Sequence, residues 1–180
     1  GNLGFDKDRI ASRFGLWPEE NYNFFKAQRG IDRLHSFYWN RDRLEATVRV
    51  QRQATETAVD LVVNIEAGPE VKFRHEGVDL PRALRRQIRN IWIDGVTDAQ
   101  RLQDAEQAIR RDFVGRGFLQ VLVRSEIAAA DPDSKEVIFR VERGPRFRNV
   151  GLVFEGASAI EPARLRRLIE KEDMLASVYT

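Results

Sequence analysis

The sequence predicts an α+β fold built from tandem modules with the order strand, helix, helix, strand, strand. Two short segments repeat, since residues 65–69 (IEAGP) match residues 141–145 (VERGP), and their glycines, Gly68 and Gly144, hold the same place in each segment. A long stretch between these segments has the periodicity of a helix, and stretches with alternating apolar residues flank it. Repetition at a fixed spacing is the signature of tandem structural units, so each element is assigned within one repeat.

The clearest helix is predicted over residues 99–113. Its apolar residues recur at spacings of three and four: Leu102, Ala105, Ile109 and Phe113. Thr97 with Gln100 has the form of a capping box before it, and Gly115 and Gly117 mark its end. We therefore expect an amphipathic helix that buries one face.

The elements around this helix complete one module. Alternating apolar residues predict a strand over 118–127, and after the turn composition at 131–134 a second strand follows over 137–141. A shorter helix is predicted over 81–91, with Pro81 near its first turn. A first strand begins at 71 and stops at Gly77.

The same order is predicted on both sides of this module. Upstream, Ala27, Leu34 and Tyr38 correspond to Leu102, Ile109 and Phe113, and Trp17 corresponds to Trp92, all at one constant difference in residue number, the repeat offset. Downstream, a strand over 147–156 and a helix over 162–169 begin a third copy. The expected divisions are therefore 1–69, a module without its first strand, 70–145, a complete module, and 146–180, the start of a third.

Composition excludes several classes of protein. The chain has no cysteine, which removes disulfides and thiolate chemistry, and no apolar run long enough to span a bilayer as a helix. With 30 basic and 28 acidic residues, the net charge is only +2 at pH 7. The chain opens on Gly1 without a leader sequence, which favours a piece of a longer protein.

No motif predicts catalysis, a cofactor or a metal site. His35 and His75 stand alone without an HExxH pattern, so surface or capping roles are expected for them. Asp131, Asp133 and Glu136 lack the spacing and the glycine of an EF-hand, so a solvated turn is the better interpretation. The predicted protein is not an enzyme.

One basic helical face supports an alternative function. At spacings of three and four it carries four arginines: Arg82, Arg85, Arg86 and Arg89. A basic α/β module that binds nucleic acid is therefore the alternative, although this face lacks the aromatic residues on which bases stack. The favoured prediction includes no nucleic-acid partner.

Taken in order, several short motifs resemble those of one family. They are Gly117-Phe118 after a long helix, the strand-to-Gly-Pro transitions at 68–69 and 144–145, and the strand ending FEG at 154–156. In these features the chain resembles the POTRA (polypeptide-transport-associated) domains of outer-membrane β-barrel assembly, surface-antigen and two-partner-secretion transporter proteins. The upstream copy departs from the pattern because Asp42-Arg43 stands where the family has glycine and an aromatic residue.

The resemblance implies βααββ modules, each a three-stranded mixed sheet with two helices on one face. It also implies a location in the periplasm, in a parent protein anchored in the outer membrane by a C-terminal β-barrel. The partners would be unfolded outer-membrane protein clients or periplasmic assembly subunits, and a structural spacer or interaction scaffold is the other possibility. A spacer would not bind extended peptides.

The resemblance further implies a site on the second strand of the complete module, which would accept a client strand by β-augmentation. This predicted edge strand comprises Phe118, Leu119, Gln120, Val121, Leu122, Val123 and Arg124. The module junctions are Gly68, Pro69, Gly144 and Pro145. We also expect self-association by strand exchange, in which residues 147–156 of one chain pair with the open sheet edge of the first module in another.

Overall fold

The computed structural model of the protein describes residues 4–16, 21–56, 58–131, 133–148, 161 and 163–164. The predicted matching of Trp17 with Trp92 lies outside these residues at Trp17, as does most of the predicted third copy. The elements in chain order are α1 (Lys7–Phe14), α2 (Phe24–Trp39), β1 (Thr47–Ala54), β2 (Val59–Glu66), β3 (Glu70–Glu76), α3 (Arg82–Asp94), α4 (Asp98–Gly115), β4 (Leu122–Ala130) and β5 (Ser134–Glu142).

These elements form two sheets. β1 and β2 pair as an antiparallel hairpin in which Thr47 lies opposite Glu66 and Ala54 opposite Val59. The other sheet is mixed and has the order β3-β5-β4, so β5 is its central strand and β4 lies at one side. The run from β3 to β5 has the order βααββ, which confirms the predicted α+β fold class.

By their internal contacts the residues fall into two compact units. The first comprises Gly1–Arg74, Trp92–Asp94 and Ile127–Val137. The second comprises His75–Ile91, Gly95–Glu126 and Ile138–Thr180. The predicted divisions at 69 and 145 stay predictions.

In the first unit, α1 and α2 pack with the β1–β2 hairpin. The side chain of Asp6 caps the start of α1, where it accepts hydrogen bonds from the backbone N–H groups of Asp8 and Arg9. The helices approach closely at Gly30, where an added Cβ would lie 2.7 Å from the carbonyl oxygen of Phe14. The buried cluster contains Ile10, Phe14, Ala27, Leu34, Phe37, Tyr38, Ala46, Val48, Ile65 and Ala67.

The helices α3 and α4 begin at Arg82 and Asp98, each next to the predicted first residue. Pro81 is the N-cap of α3, and the hydroxyl of Thr97 accepts a hydrogen bond from the N–H of Gln100 at the start of α4. Ile109 and Phe113 on α4 are buried, as their helical spacing predicts. Both helices run slightly further than predicted, to Asp94 and Gly115.

The predicted start of the edge strand is wrong. β4 begins at Leu122, whereas residues 118–121 form a turn. In this turn the N–H of Phe118 donates to the carbonyl of Phe113, and the N–H of Val121 donates to the carbonyl of Phe118. These local bonds engage amides that a strand starting at Phe118 would have offered to a neighbour, because a backbone N–H is a single donor.

The repeat reappears in the backbone hydrogen bonds after α2 and α4. Asp42, at φ 58°, is the one non-glycine residue with positive φ among the described residues, and Gly117 has the same hand at φ 89°. Their N–H groups donate to the carbonyls of Trp39 and Val114, respectively, a pair that is again related by the repeat offset. Asp42 thus adopts the left-handed conformation that Gly117 has at the corresponding position, as aspartate does more readily than most residues.

Among the described residues, no helix is both long and apolar enough to cross a membrane.

Candidate functional site

The candidate binding site is the edge of β4 that faces away from β5. β4 lies beside β5 at one side of the three-stranded sheet. Leu122, Val123 and Arg124 of the predicted site lie in this strand. Val123 is buried, whereas Leu122 is 49% exposed and Arg124 is exposed. Strand residues alternate between the two faces of a sheet, so Leu122 and Arg124 share the outer face.

The other four predicted site residues precede the strand. Val121 is buried, Gln120 is exposed, and Phe118 and Leu119 are half-buried. The ring of Phe118 packs edge-on against Phe113, with the centroids 5.8 Å apart. These four residues therefore form the segment that leads into β4 and are not part of its edge.

A contact from α4 reveals which amides of β4 face outward. The carboxylate of Glu106 accepts hydrogen bonds from the backbone N–H and from the hydroxyl of Ser125, each at 2.7 Å. An amide bound to a helix side chain is not directed at the neighbouring strand, so Ser125 occupies a position whose backbone groups face away from β5. Alternation along the strand gives Val123 and Ile127 the same direction, and Leu122 and Arg124 the opposite one.

The hairpin of the first unit independently supports this assignment of the amides that face outward. Thr55 donates its N–H to the carbonyl of Ala58 and so forms a hydrogen-bonded pair at the turn. In the continuous register that follows, such pairs alternate with non-bonded ones, so Val48 and Val50 on β1 direct their backbone groups away from β2. At the repeat offset, Val48 and Val50 correspond to Val123 and Ser125.

Charged side chains cover the outer face of the three-stranded sheet. Arg140 on β5 donates to Glu76 on β3 at 2.8 Å, and it contacts Glu126 on β4 at 2.7 Å. The hydrogen bonds to Glu126 and Glu76 raise the pKa of Arg140 above its ordinary value. This ladder makes the outer face a poor surface for apolar docking, so the strand edge is the better candidate.

At the first junction, residues 68–71, the backbone comes close to the loop that precedes β1. A Cβ on Gly68 would lie 3.2 Å from the Cβ of Glu45, and the guanidinium of Arg43 donates to the carbonyl of Gly68. The N–H of Val71 donates to the carbonyl of Asp42 at 2.8 Å. Pro69 lies half-buried within the junction.

A partly buried polar cluster lies beside this junction. The carboxylate of Glu45 accepts a hydrogen bond from the indole N–H of Trp92 at 2.9 Å and another from the ammonium of Lys135 at 2.7 Å. The side chain of Lys135 is only 10% exposed and that of Glu45 16%. Loss of either partner of a charge pair so shielded from water would leave the other charge buried and unpaired, which would destabilise the fold.

The second junction, residues 144–147, repeats this geometry with different side chains. A Cβ on Gly144 would lie 3.3 Å from the Cβ of Gln120, the residue that corresponds to Glu45. The N–H of Phe147 donates to the carbonyl of Gly117 at 2.8 Å, as Val71 does to Asp42. Pro145 is exposed.

The histidines, for which surface or capping roles were expected, are both half-buried beside aromatic rings. His35 packs beside Trp39 with ring centroids 5.0 Å apart, and His75 stacks on Phe139 at 5.9 Å. Burial lowers the pKa of both imidazoles below 6.5. The described residues contain no cluster of His, Asp and Glu that could hold a metal ion.

The basic face that motivated the nucleic-acid alternative is exposed at Arg82, Arg85 and Arg86, whereas Arg89 is half-buried. Arg85 lies 3.8 Å from the carboxylate of Asp79.

The predicted turn at 131–134 contains a local acceptor, since Asp131 accepts hydrogen bonds from the N–H groups of Asp133 and Ser134. These bonds lower the pKa of Asp131.

Sequence reasoning missed the carboxylates of Glu106 and Glu45 and a group of arginines between α1 and α2. Glu106 and Glu45 bind residues far away along the chain, such as Ser125 and Lys135, so no local pattern identifies them. The arginines leave a signal in the repeat, because Arg33 corresponds to Ala108.

One family model matches the upstream part of the chain. Residues 1–68 match the model of the POTRA family, described as a surface antigen variable number repeat. No curated protein sequence matched the chain.

Several solved structures resemble the chain at low identity. POTRA domains 3–5 of BamA from Haemophilus influenzae share 15% identity over 99% of this chain and 80% of that one, with a TM-score of 0.40. The N-terminal domain of Omp85 from Thermosynechococcus elongatus shares 15% over 91% and 79%, at 0.35. POTRA domains 1–2 of Omp85 from Anabaena share 14% over 77% and 84%, at 0.34. With TM-scores below 0.5, these likenesses add nothing to the fold described above.

Proposed function

We propose that the chain, whose residues 1–68 match the POTRA family model, is a polypeptide-binding part of an outer-membrane β-barrel assembly or secretion protein. It acts in the periplasm and receives extended segments of client or partner polypeptides by β-augmentation. The observation that carries this proposal is the position of β4 at one side of its sheet. An open strand edge is a template for another strand.

The amides of Val123 and Ile127 are the proposed hydrogen-bond donors to the client. Both share the outward phase of Ser125, whose own amide is engaged by Glu106. Main-chain hydrogen bonds read little sequence, which suits clients that differ in sequence. No chemical step is required, so the proposed function is non-enzymatic.

The edge of β1 is the corresponding acceptor in the upstream module. Val48 and Val50 have their backbone groups directed away from β2. The residue that corresponds to Glu106 is Ile31, which has no carboxylate to engage an amide. A client at β1 therefore displaces no carboxylate at this position, whereas at β4 it exchanges one hydrogen bond of Glu106 for one of its own.

Proline substitution tests the proposal, because proline removes a backbone donor. The probe is an uncharged extended peptide with alternating apolar and polar residues, and binding is followed by fluorescence anisotropy. We expect the double variant Val50→Pro, Val123→Pro to bind at least about tenfold more weakly, which corresponds to about 1.4 kcal/mol.

Leu122→Ala is the matched control, because it shortens an exposed side chain of β4 and retains every amide. Circular dichroism identifies variants that remain folded. Amide hydrogen exchange on the unmodified chain provides a second readout, in which the peptide should slow exchange at Val123 more than at Leu122. Unchanged affinity in a folded double variant, or equal protection of both amides, would contradict the proposal.

A further inference from the structure

An arginine-lined cleft between α1 and α2 lies apart from the strand edges. It has a volume of about 530 Å³, and the residues that line it include Arg13, Arg29, Arg33 and Arg41. Asp32 is the one carboxylate among the described residues that line it, and Ser36 and Asn40 add neutral polar groups. The cleft therefore concentrates positive charge in a chain whose net charge is only +2.

Two of the four arginines are fixed by the fold. Arg33 donates to the carbonyls of Arg13 and Phe14 and so satisfies acceptors at the end of α1. Arg41 donates to the carbonyl of Phe37 and lies 3.8 Å from the centroid of its ring. Guanidiniums held in this way present their remaining N–H groups in a set direction, which lowers the entropic cost of binding a ligand.

The other two arginines are held less firmly than Arg33 and Arg41, which bind backbone carbonyls. Arg13 lies over the Phe37 ring at 5.8 Å and Arg29 lines the cleft, and both side chains are exposed. None of the four lining arginines forms an ion pair with a carboxylate in the described part of the chain. Because Arg13 and Arg29 are exposed, an anionic ligand can reach them from solvent.

The repeat indicates that the second helix of a module forms without arginine at two of these four positions. The small residues Gly30 and Ala105 and the buried Tyr38 and Phe113 keep α2 and α4 aligned at the repeat offset. At that offset Arg29 corresponds to Asp104 and Arg33 to Ala108. At these two positions the second module thus forms the corresponding helix with an acidic residue and a small one.

We propose that this cleft binds an acidic segment of a partner polypeptide, whose Asp or Glu carboxylates pair with the guanidiniums of Arg13 and Arg29. Its volume lies in the range of sites for ligands larger than a simple anion. Ser36 and Asn40 provide hydrogen-bonding groups suited to a peptide backbone. Arginine clusters are a general means of recognising acidic motifs, since the guanidinium matches the geometry of a carboxylate. The proposal rests on the proposed function in that the partner is a polypeptide.

The test compares two peptides on the full 180-residue chain. One has glutamate at alternate positions, and the other has glutamine at the same positions. Fluorescence anisotropy should show tighter binding of the glutamate peptide, with an affinity that falls as the salt concentration rises. The double variant Arg13→Gln, Arg29→Gln should weaken this binding about tenfold, which corresponds to about 1.4 kcal/mol.

The matched control is Arg82→Gln, Arg86→Gln, which removes the same charge from exposed positions on α3. It should change the affinity for the glutamate peptide less than about twofold. An equal loss in both double variants would reduce the effect to net charge and overturn the proposal. Full competition by inorganic phosphate, or by vesicles containing anionic lipid with no preference for the peptide, would overturn it as well.

The uncharged strand peptide separates this inference from the proposed function. It should bind the Arg13→Gln, Arg29→Gln variant as it binds the original chain, because the strand edges are unchanged. Loss of glutamate-peptide binding alone in this variant supports the cleft. If the uncharged peptide binds neither protein while the glutamate peptide still depends on Arg13 and Arg29, strand capture fails and the cleft stands.

Discussion

The carboxylate of Glu106 engages Ser125 twice, through the backbone N–H and the hydroxyl, each at 2.7 Å. A side chain of α4 thereby occupies one outward amide of the strand proposed to receive clients. Exposed edges invite unwanted pairing, and natural proteins cover them with charged side chains or neighbouring elements. Glu106 therefore covers part of this edge, and under the proposed function it would compete with a client for the amide of Ser125.

Removal of this carboxylate should open the edge at a cost in stability. We expect Glu106→Ala to bind the uncharged strand peptide more tightly. In this variant the Ser125 amide can bind the peptide without first losing its hydrogen bond to Glu106. The free energy of unfolding should fall by about 1–3 kcal/mol, the range for losing hydrogen bonds to a charged group. Anisotropy and urea denaturation measure the two effects.

Two variants separate the contributions of the bonds. Ser125→Ala removes the hydroxyl and keeps the amide bond to Glu106, so its peptide affinity should stay close to that of the original chain. Glu106→Gln keeps a hydrogen-bond acceptor without the charge. Its peptide affinity should lie between that of the original chain and that of Glu106→Ala. A folded Glu106→Ala variant with unchanged peptide affinity would disprove competition at this amide.

The glycines at the end of α4 should respond in opposite ways to alanine. Gly117 has φ 89°, and an added Cβ would lie 2.4 Å from the carbonyl oxygen of Phe147. Gly117→Ala should therefore lower the free energy of unfolding by more than about 1–2 kcal/mol, the cost of the left-handed conformation alone. Gly115 is the last residue of α4 and has open space around its Cβ position.

Gly115→Ala is thus the matched control and should be neutral or stabilise the protein by up to about 1 kcal/mol. Urea denaturation of both variants measures the contrast. Equal stabilities would mean that neither the backbone conformation at Gly117 nor its approach to Phe147 constrains this segment.

The elements that sequence predicts well are those whose pattern is local. Helical spacing over 99–113 and the capping residue Thr97 identify α4 closely, although the helix continues to Gly115. The repeat predicts the equivalence of Asp42 and Gly117, although their residue types differ. Their shared left-handed φ follows from the same turn after the same helix.

The features that sequence could not predict depend on contacts between distant residues. Apolar alternation begins at Leu119, but two turn hydrogen bonds at Phe118 delay the strand to Leu122. Glu106 has the pattern of any half-exposed helix residue, and only the position of Ser125 beside α4 gives it a role. The arginine cleft was open to prediction, because the difference between Arg33 and its counterpart Ala108 is visible in the sequence.

Phe139 should be a major contributor to stability, as its place in the alternation of β5 predicts. Its side chain is fully buried, at 0% exposure. Phe139→Ala should lower the free energy of unfolding by about 3–5 kcal/mol, through lost transfer energy and the cavity left behind. Leu122→Ala, at a position 49% exposed, should change it by no more than about 0.5 kcal/mol. A loss below about 1 kcal/mol for Phe139→Ala would mean that the site collapses around alanine.

The stability of the protein should fall in mild acid because of its histidines. Burial lowers the pKa of His75 below 6.5, the neighbouring Arg85 lowers it further, and Asp79 opposes them. The unfolded chain therefore takes up a proton at a higher pH than the folded one does. By linkage, stability rises with pH across this window and is lost as pH falls below about 6.5.

The variant His75→Gln should weaken this dependence, because it removes one group whose pKa differs between the folded and unfolded states. His35 also has a pKa lowered by burial, so His35→Gln is a parallel case that leaves the share of His75 in place. Urea denaturation between about pH 7.5 and about pH 5.5 avoids most carboxylate titration. The slope of unfolding free energy against pH should be smaller in each single variant and smallest in the double variant. An unchanged slope in His75→Gln would mean that protonation of His75, which stacks on Phe139, does not cause the pH dependence of stability.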